Sequence, residues 1–245
     1  NVTATFGAKV RQDDMLAIWP SAYNADTILD RFQYAGASGV YNYNLGAGVG
    51  LSYKKNGFSI SANYISNQLT AGNSSSPTFV LGSGAITSQD GIGSANTTTV
   101  QVGYAASNWG AAFAYNYTQA SSLFGTGFPQ LALNDVNASY GAAGSNNLGF
   151  SAYWQPTKTG IIPSISAGVG TTYFNGGGST STWQVALQWN DAFVKGNALG
   201  MAYGDTQVGG TDQGQYAYEL FYKFQVTDNI SVTPAFFWIN GNGGN

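Results

Sequence analysis

The sequence predicts an all-β protein and, within that class, a transmembrane antiparallel β-barrel. Segments of about ten residues alternate apolar with polar side chains, which is the two-residue period of a β-strand. Charged residues make up only 8% of the chain, against about 25% in an average soluble domain. No apolar run reaches the ~18 residues that a membrane-spanning helix needs, but a barrel strand needs only every second side chain to face lipid.

Composition disfavours several classes of function. The 245 residues include no cysteine and no histidine, which removes thiol chemistry, the common zinc sites and imidazole catalysis. Enzymes built on membrane barrels are disfavoured for the same reason. The net charge is −3, and no basic patch is present that could bind nucleic acid. We therefore expect no catalytic residue, no metal site, no cofactor and no nucleic-acid partner.

The clearest element is a β-hairpin over residues 216–238. Its first arm has one apolar face, formed by Tyr216, Tyr218, Leu220, Tyr222 and Phe224. The opposite face carries Glu219 and Lys223, with Phe221 as an apolar exception. A lysine on a lipid-facing surface costs ~2–4 kcal/mol at mid-membrane, so both charged side chains are predicted to point inward.

The same alternation, taken along the chain in order, predicts about eleven strands. They cover approximately residues 2–11, 45–53, 58–64, 100–104, 111–117, 148–154, 165–173, 183–189, 199–203, 216–225 and 230–238. Connections near residues 55, 108, 158, 193 and 228 are short, and most of the others are long. The first long loop, 12–43, could hold a short helix at 25–32. Short turns at one end and long loops at the other are typical of outer-membrane barrels. Pro234 cannot donate a ladder hydrogen bond and predicts a bulge in the last strand.

Aromatic residues lie near both ends of the predicted strands, as expected for the two aromatic belts of a membrane barrel. Those near the short turns are Tyr53, Phe58, Trp109, Trp154, Trp189, Phe193 and Phe224. Those at the far ends are Tyr64, Tyr117, Tyr173, Trp183, Tyr203, Tyr216 and Trp238. The alternative fold is a soluble or secreted β-sandwich, in which these side chains would fill a core between two sheets. Arms of ~9–11 residues suit the barrel better, because the usual strand has ~5–6.

Three segments carry a resemblance to a known family. They are 10–20 (VRQDDMLAIWP), 55–64 (KNGFSISANY) and 218–234 (YELFYKFQVTDNISVTP). Together they resemble the cyanobacterial outer-membrane porins, which are related to the carbohydrate-selective porins. The resemblance implies a homotrimeric channel in the outer-membrane lipid. It would pass small hydrophilic solutes and inorganic ions, with sugars or iron as further candidates.

The resemblance also implies that the chain is part of a longer protein. Members of this family carry an N-terminal S-layer-homology domain, which binds peptidoglycan, and a linker before a barrel of about 16 strands. We therefore expect residues 1–245 to be part of the barrel domain, without that domain, the linker, the early strands and the closing strand. Peptidoglycan would be bound only through the domain that this chain lacks. The alternative function is a structural tether between the outer membrane and peptidoglycan, with little channel activity.

Charged residues near the start of the chain form the candidate pore constriction, because charge and width decide the selectivity of a pore. Lys9 and Arg11 are predicted on the inward face of the first strand. The loop that follows is predicted to fold into or over the lumen, and it supplies Asp13, Asp14, Asp26, Asp30 and Arg31. Glu219 and Lys223 complete the pore-lining candidates; the alternative for these two is a structural pair across Phe221. The alternative for the loop is a solvated outer loop with ordinary surface charges.

Lysines mark several short turns: Lys54, Lys55, Lys158 and Lys195. They could meet anionic lipid headgroups or the cell-wall polymer, or they could only anchor the turns in water.

Overall fold

A computed structural model describes residues 1–23, 30–66, 79–80, 86–87, 96–119, 144–175, 177–206 and 214–240. In these ranges the chain is all-β and antiparallel, which confirms the predicted class. Helical structure there consists of two 3-10 turns, Asp13–Met15 and Asp30–Phe32. Most of the helix expected at 25–32 lies outside the described residues. The described chain contains no helix with the length and apolar character required to cross a bilayer.

The strands are numbered in chain order. They are β1 (Val2–Arg11), β2 (Leu45–Lys55), β3 (Phe58–Ser66), β4 (Phe79–Val80), β5 (Ile86–Thr87), β6 (Asn96–Ala105), β7 (Trp109–Thr118), β8 (Ser145–Trp154), β9 (Ser164–Phe174), β10 (Ser179–Asn190), β11 (Ala198–Asp205), β12 (Ala217–Thr227), β13 (Ile230–Val232) and β14 (Ala235–Ile239).

One 12-stranded sheet contains all of these strands except β4 and β5, which pair with each other. The spatial order of the sheet is β1-β2-β3-β6-β7-β8-β9-β10-β11-β12-β13, and β14 also pairs with β12. Strands adjacent in the sheet are thus mostly adjacent in sequence, as expected when hairpins form locally. Within the described residues β1 and the β13–β14 strands are the two edges, so the sheet is not closed there.

Short turns lie at one end of the sheet and mostly longer connections at the other, as predicted; the β9–β10 connection, residues 175–178, is an exception at the long-loop end. The β2–β3 turn consists of Asn56, with φ 51°, and Gly57, with φ 84°. Positive φ at both positions is what a two-residue turn of the favoured hairpin type requires. The other short turns follow β6, β8, β10 and β12. Because neighbouring strands are antiparallel, these five turns lie on the same side of the sheet.

The last predicted strand is present but interrupted. β13 and β14 both pair with β12, and Thr233 and Pro234 separate them. The carbonyl oxygen of Pro234 still accepts a hydrogen bond of 3.0 Å from the backbone nitrogen of Tyr222. The break lies where a missing proline N–H removes a ladder donor, and it confirms the expected irregularity. Counting these two pieces as one strand gives the eleven long strands that the alternation predicted.

The two faces of the sheet differ sharply in polarity. On one face, an apolar row of cross-strand neighbours is exposed: Tyr53, Ile60, Val102, Phe113, Phe150 and Val169. On the other face, a polar row of cross-strand neighbours is buried: Asn63, Thr99, Asn116, Asn147, Thr172 and Thr180. We call these the apolar face and the polar face. A soluble sheet buries its apolar side chains, whereas this sheet exposes them and buries its polar ones.

β1 departs from the predicted alternation because it contains a bulge. Gly7 pairs with Gly48, but Val10 pairs with Gly46, so a step of three residues in β1 faces a step of two in β2. An extra residue in one strand inverts the side-chain alternation beyond it. Val10 therefore points to the polar face, where a Cβ at Gly48 would approach its Cγ2 to 3.0 Å.

The bulge overturns the predicted orientation of the first basic residues. Arg11 pairs with Leu45, which belongs to the apolar face, so the prediction that Arg11 points inward is wrong. Lys9 lies inside the bulge and is exposed. The pairing of β1 with β2 therefore does not continue the regular alternation that was expected to place Lys9 and Arg11 on the inward face.

Candidate functional site

Residues 12–44, here called the inner segment, connect β1 to β2, and their described parts, 12–23 and 30–44, cover the polar face. Near its start, Met15 lies against β2, where a Cβ at Gly50 would be 2.8 Å from the Met15 Cβ. Further along, Tyr23 reaches Glu219 on β12. The described part of the first loop therefore packs across the polar face from β2 to β12 and is not a solvated outer loop.

Gln12 joins the start of the inner segment to its end and to the sheet. Its Nε2 donates hydrogen bonds to the Val40 carbonyl at 2.7 Å and to the Thr99 hydroxyl at 2.6 Å. Its Oε1 accepts from the backbone N–H groups of Asn42 at 2.9 Å and Tyr43 at 3.1 Å. The side chain is fully buried. One uncharged amide thus satisfies polar groups from two parts of the fold, the end of the inner segment and β6, and buried backbone groups require such partners.

Glycines on the polar face let the backbone of the inner segment approach closely. A Cβ at Gly168 would lie 1.8 Å from the carbonyl oxygen of Ala35. At Gly149 it would lie 2.7 Å from the Ala37 Cβ, and at Gly170 it would lie 2.8 Å from the Ala37 Cα. The nearest atoms belong to backbone or to Cβ, so no side-chain rotation could relieve these contacts. Glycine is required here for close approach.

Side chains of the sheet hold the backbone of the same stretch. The Ser151 hydroxyl donates to the Ala35 carbonyl at 2.7 Å, and the Thr182 hydroxyl donates to the Gly36 carbonyl at 2.9 Å. The Gln101 amide donates to the Tyr41 hydroxyl at 3.1 Å. These bonds come from β8, β10 and β6, so the inner segment is fixed at several points across the sheet.

An apolar cluster explains why Phe221 lies on the otherwise polar inward face of β12. Phe221 is buried against Tyr23, with ring centroids 5.7 Å apart. Phe32 belongs to the same cluster. The Tyr23 hydroxyl donates a hydrogen bond of 2.8 Å to Oε1 of Glu219, and burial, together with this carboxyl group, raises the pKa of the tyrosine. The apolar phenylalanine therefore faces the inner segment and not the lumen.

Aromatic rings form a second cluster within the inner segment. Trp19 stacks on Tyr43 with centroids 5.4 Å apart and contacts Tyr41 edge-on at 5.1 Å. Tyr34 lies 5.3 Å from Tyr43. The Arg11 guanidinium lies 5.1 Å from the centroid of the Tyr43 ring, within the range of cation–π attraction. The cluster stabilises the end of the inner segment that lies next to β1.

The predicted pore-lining residues are spread over different environments. Arg11 forms an ion pair with Asp13, and Asp14 is exposed beside them. Arg31 is buried, with 3% of its surface exposed. Glu219 is fully buried on the polar face, and Lys223 shares that face, as the sequence predicted. Asp26 and the side chain of Asp30 lie outside the described residues. The structure thus brings Arg11, Asp13 and Asp14 together and places Glu219 and Lys223 apart from them.

Several buried polar atoms on this face have no hydrogen-bond partner in the part of the protein that the structure describes. Among the described residues, Ser61 Oγ, Asn63 Oδ1, Gln101 Oε1 and Gln184 Oε1 have no hydrogen-bond partner from the protein. Buried polar atoms of this kind are normally hydrogen-bonded to water. The same described residues contain no group of three or more acidic side chains able to hold a metal ion. The unpartnered oxygens therefore favour hydration of this face.

Sequence reasoning missed the uncharged residues that build this site. Gln12, Tyr23 and Ser151 gave no signal by type or spacing, since their partners lie far away in sequence. The polar row was visible only as the polar half of each strand's alternation. The local signs that the first loop packs on something are the apolar pairs Trp19-Pro20 and Met15-Leu16.

Comparison with known proteins yields one relative of unassigned role. No protein-family model matches the chain. It is 28% identical over 142 residues to an uncharacterized protein, alr4550, of the cyanobacterium Nostoc sp. (strain PCC 7120). The match covers 54% of this chain and 25% of the relative, so this chain spans about a quarter of the length of the curated protein it resembles.

Proposed function

We propose that the protein is an outer-membrane porin, a β-barrel with a water-filled channel for passive diffusion of small hydrophilic solutes and inorganic ions. Sugars and iron complexes are candidate solutes within that class, and a homotrimer is the candidate assembly. The cyanobacterial relative is compatible with this proposal, but it is uncharacterized and therefore supports no particular function.

The observation that carries the proposal is the inverted polarity of the sheet. The apolar row is about half exposed, from 42% at Tyr53 to 52% at Phe113, while every residue of the polar row is at most 4% exposed. Exposed apolar surface of this extent is unfavourable in water. It suits a surface in contact with lipid, and a polar opposite face suits an aqueous interior.

The second observation is a set of buried oxygens on the polar face that have no hydrogen-bond partner among the described residues, such as Asn63 Oδ1 and Gln101 Oε1. Water in an aqueous interior would satisfy them. The inner segment would narrow the interior, and a segment folded over the lumen sets the width and charge of a constriction.

The same inner segment favours one alternative, a structural tether between the outer membrane and peptidoglycan with little conductance. The inner segment contacts the polar face from β2 to β12. It lies so close that a Cβ at Gly168 would be 1.8 Å from the Ala35 carbonyl oxygen. A channel filled to this degree could be closed to solutes. The tether would bind peptidoglycan through a part of the longer protein.

Single-channel conductance of the full-length protein in a planar bilayer separates the two functions. Steady open steps that scale with salt concentration would support the porin. Folded protein that inserts without conducting, and that is retained on isolated peptidoglycan, would reject the porin and leave the tether. Insertion is checked separately by protection of the barrel from protease in vesicles.

A further inference from the structure

Two neighbouring short turns are tied to each other. One comprises residues 155–163, between β8 and β9, and the other comprises 191–197, between β10 and β11. The indole Nε1 of Trp189 donates a hydrogen bond of 2.7 Å to the Ile161 carbonyl. The Asp191 carboxylate accepts from the Gly196 N–H at 2.8 Å and from the Thr159 hydroxyl. These contacts hold the two turns at a fixed separation.

An apolar crevice of about 380 Å³ lies between the tied turns. We call it the turn crevice. Its walls include Ile161, Trp189, Ala192, Phe193 and Leu199, and Trp189 and Leu199 are cross-strand partners on the apolar face. The volume falls within the ~300–1,000 Å³ of typical small-molecule sites. The crevice therefore opens on the side of the sheet that carries the exposed apolar row.

Phe193 lies at the centre of a tight turn, in which the Val194 N–H donates a hydrogen bond of 2.7 Å to the Ala192 carbonyl. It has φ 61°, and 90% of its surface is exposed. Positive φ is costly for a bulky residue with a Cβ. Ile161, on the facing turn, is 95% exposed. Two large apolar side chains that remain exposed at one crevice indicate a surface that contacts something apolar.

Positive charge flanks the crevice. Lys158 precedes the wall residues of the first turn, and Lys195 follows Phe193 in the second; both are exposed. Asp191 is the one acidic residue among those that line the crevice, and its carboxylate interacts electrostatically with Lys195 as well as accepting hydrogen bonds from Gly196 and Thr159. Two lysines beside one carboxylate leave a net positive charge at the crevice, which attracts an anion.

We propose that the turn crevice binds one anionic phospholipid. An acyl chain lies against Trp189, Phe193 and Leu199, and the phosphate lies between the ammonium groups of Lys158 and Lys195. This inference rests on the proposed membrane location. It adds a specific lipid site at the short-turn end of the barrel, where the strands reach the headgroup region.

The test uses brominated lipids, which quench tryptophan fluorescence only at close contact. Full-length protein is placed in vesicles of phosphatidylcholine mixed with phosphatidylglycerol, and either lipid carries the brominated chains. The contribution of Trp189 is the difference between the unaltered protein and Trp189→Phe. We expect the Trp189 signal to be quenched more by brominated phosphatidylglycerol, and Lys158→Ser with Lys195→Ser to reduce that preference by about fivefold per lysine.

Two further variants make the result specific. Lys54→Ser with Lys55→Ser removes the same charge from another short turn, between β2 and β3, and should leave the preference unchanged. Phe193→Ser should weaken quenching by both brominated lipids, because it removes apolar contact and no charge. Equal quenching by both lipids in the unaltered protein would overturn the anionic site. A Trp189 signal untouched by either lipid would overturn lipid binding and indicate that another copy of the chain covers the crevice.

The conductance of the same preparation separates this proposal from the porin. Conducting protein without lipid preference would reject only the lipid site. Protein that neither inserts in vesicles nor conducts would reject both.

Discussion

The hydroxyl of Tyr23 donates a hydrogen bond of 2.8 Å to Oε1 of Glu219, a residue 196 positions further along the chain. This bond joins the inner segment to β12, at the opposite side of the sheet from the Gln12 contacts. Because the Tyr23 ring also packs on Phe221, one side chain contributes both a polar and an apolar contact at that end of the segment.

Tyr23→Phe should destabilise the protein without disturbing its packing. The ring contact with Phe221 remains, but a buried carboxyl group loses a hydrogen bond, which costs about 1–3 kcal/mol. Urea unfolding of the protein in detergent, followed by tryptophan fluorescence, measures the loss. Tyr173→Phe is the matched control, because Tyr173 lies on the apolar face and is half exposed. Equal stability of the two variants would contradict the role given to the Tyr23–Glu219 bond.

Much of the sheet could be predicted from sequence because strand alternation is local information. Turn residues predicted the short turns, and Pro234 predicted the interruption of the last strand. The two-residue period predicted that Glu219 and Lys223 lie on the inward face. The bulge between Gly7 and Val10 could not be predicted, because apolar and polar residues alternate regularly there and only the pairing with β2 shows the shift. The orientation assigned to Arg11 failed for that reason.

The candidate site could be predicted only in outline. A charge-rich first loop suggested a segment folded over the lumen, but its contacts come from partners such as Gln12 and Thr99, 87 residues apart. Contacts of that range depend on the completed sheet. Uncharged amides and hydroxyls carry no local signal that distinguishes them from surface residues.

Gly168→Val should displace the inner segment. Its Cβ would meet the Ala35 carbonyl, and overpacking of this kind costs about 1–3 kcal/mol. If the segment narrows the channel, the variant should conduct more than the unaltered protein in planar bilayers. Ala167→Val places the same side chain on the neighbouring residue, which points to the apolar face, and should change neither conductance nor stability. A Gly168→Val protein with unaltered stability and conductance would show that the segment does not pack there.

An arginine in the apolar row should be costly in proportion to its depth. Phe113→Arg, near the middle of β7, should destabilise the protein in vesicles by ~2–4 kcal/mol, whereas a change near an interface costs about 0–1 kcal/mol. Val232→Arg, beside the β12–β13 turn and 55% exposed, is the interfacial control. Unfolding in urea from phosphatidylcholine vesicles gives both values. Equal tolerance of the two substitutions would favour a water-exposed sheet and contradict the lipid-facing assignment.

Lys223 should influence ion selectivity more strongly than Arg11. Lys223 lies on the polar face, and a charge about 5 Å from a passing ion contributes ~0.8 kcal/mol in water, roughly fourfold in permeability. Lys223→Gln should therefore shift the cation-to-anion permeability ratio toward cations, as read from the reversal potential in a salt gradient. Arg11→Gln should shift it less, because Arg11 lies on the apolar face. A larger shift from Arg11→Gln would return the constriction to the start of the chain.

Asp191 should make the turn between β10 and β11 sensitive to acid. Hydrogen bonds from the Gly196 N–H and the Thr159 hydroxyl hold the pKa of Asp191 below its usual value of 3.8. A carboxyl group whose pKa is lowered by folding stabilises the folded state above its unfolded pKa, and this contribution is lost as pH falls through the folded pKa. Asp191→Asn should therefore be less stable than the unaltered protein at neutral pH, and the difference should shrink as the pH is lowered below 3.8. Asp228→Asn, in another exposed turn, controls for the general effect of removing an acidic group. A stability difference for Asp191→Asn that is the same at pH 7 and in strong acid would show that the ionised carboxylate does not stabilise the turn.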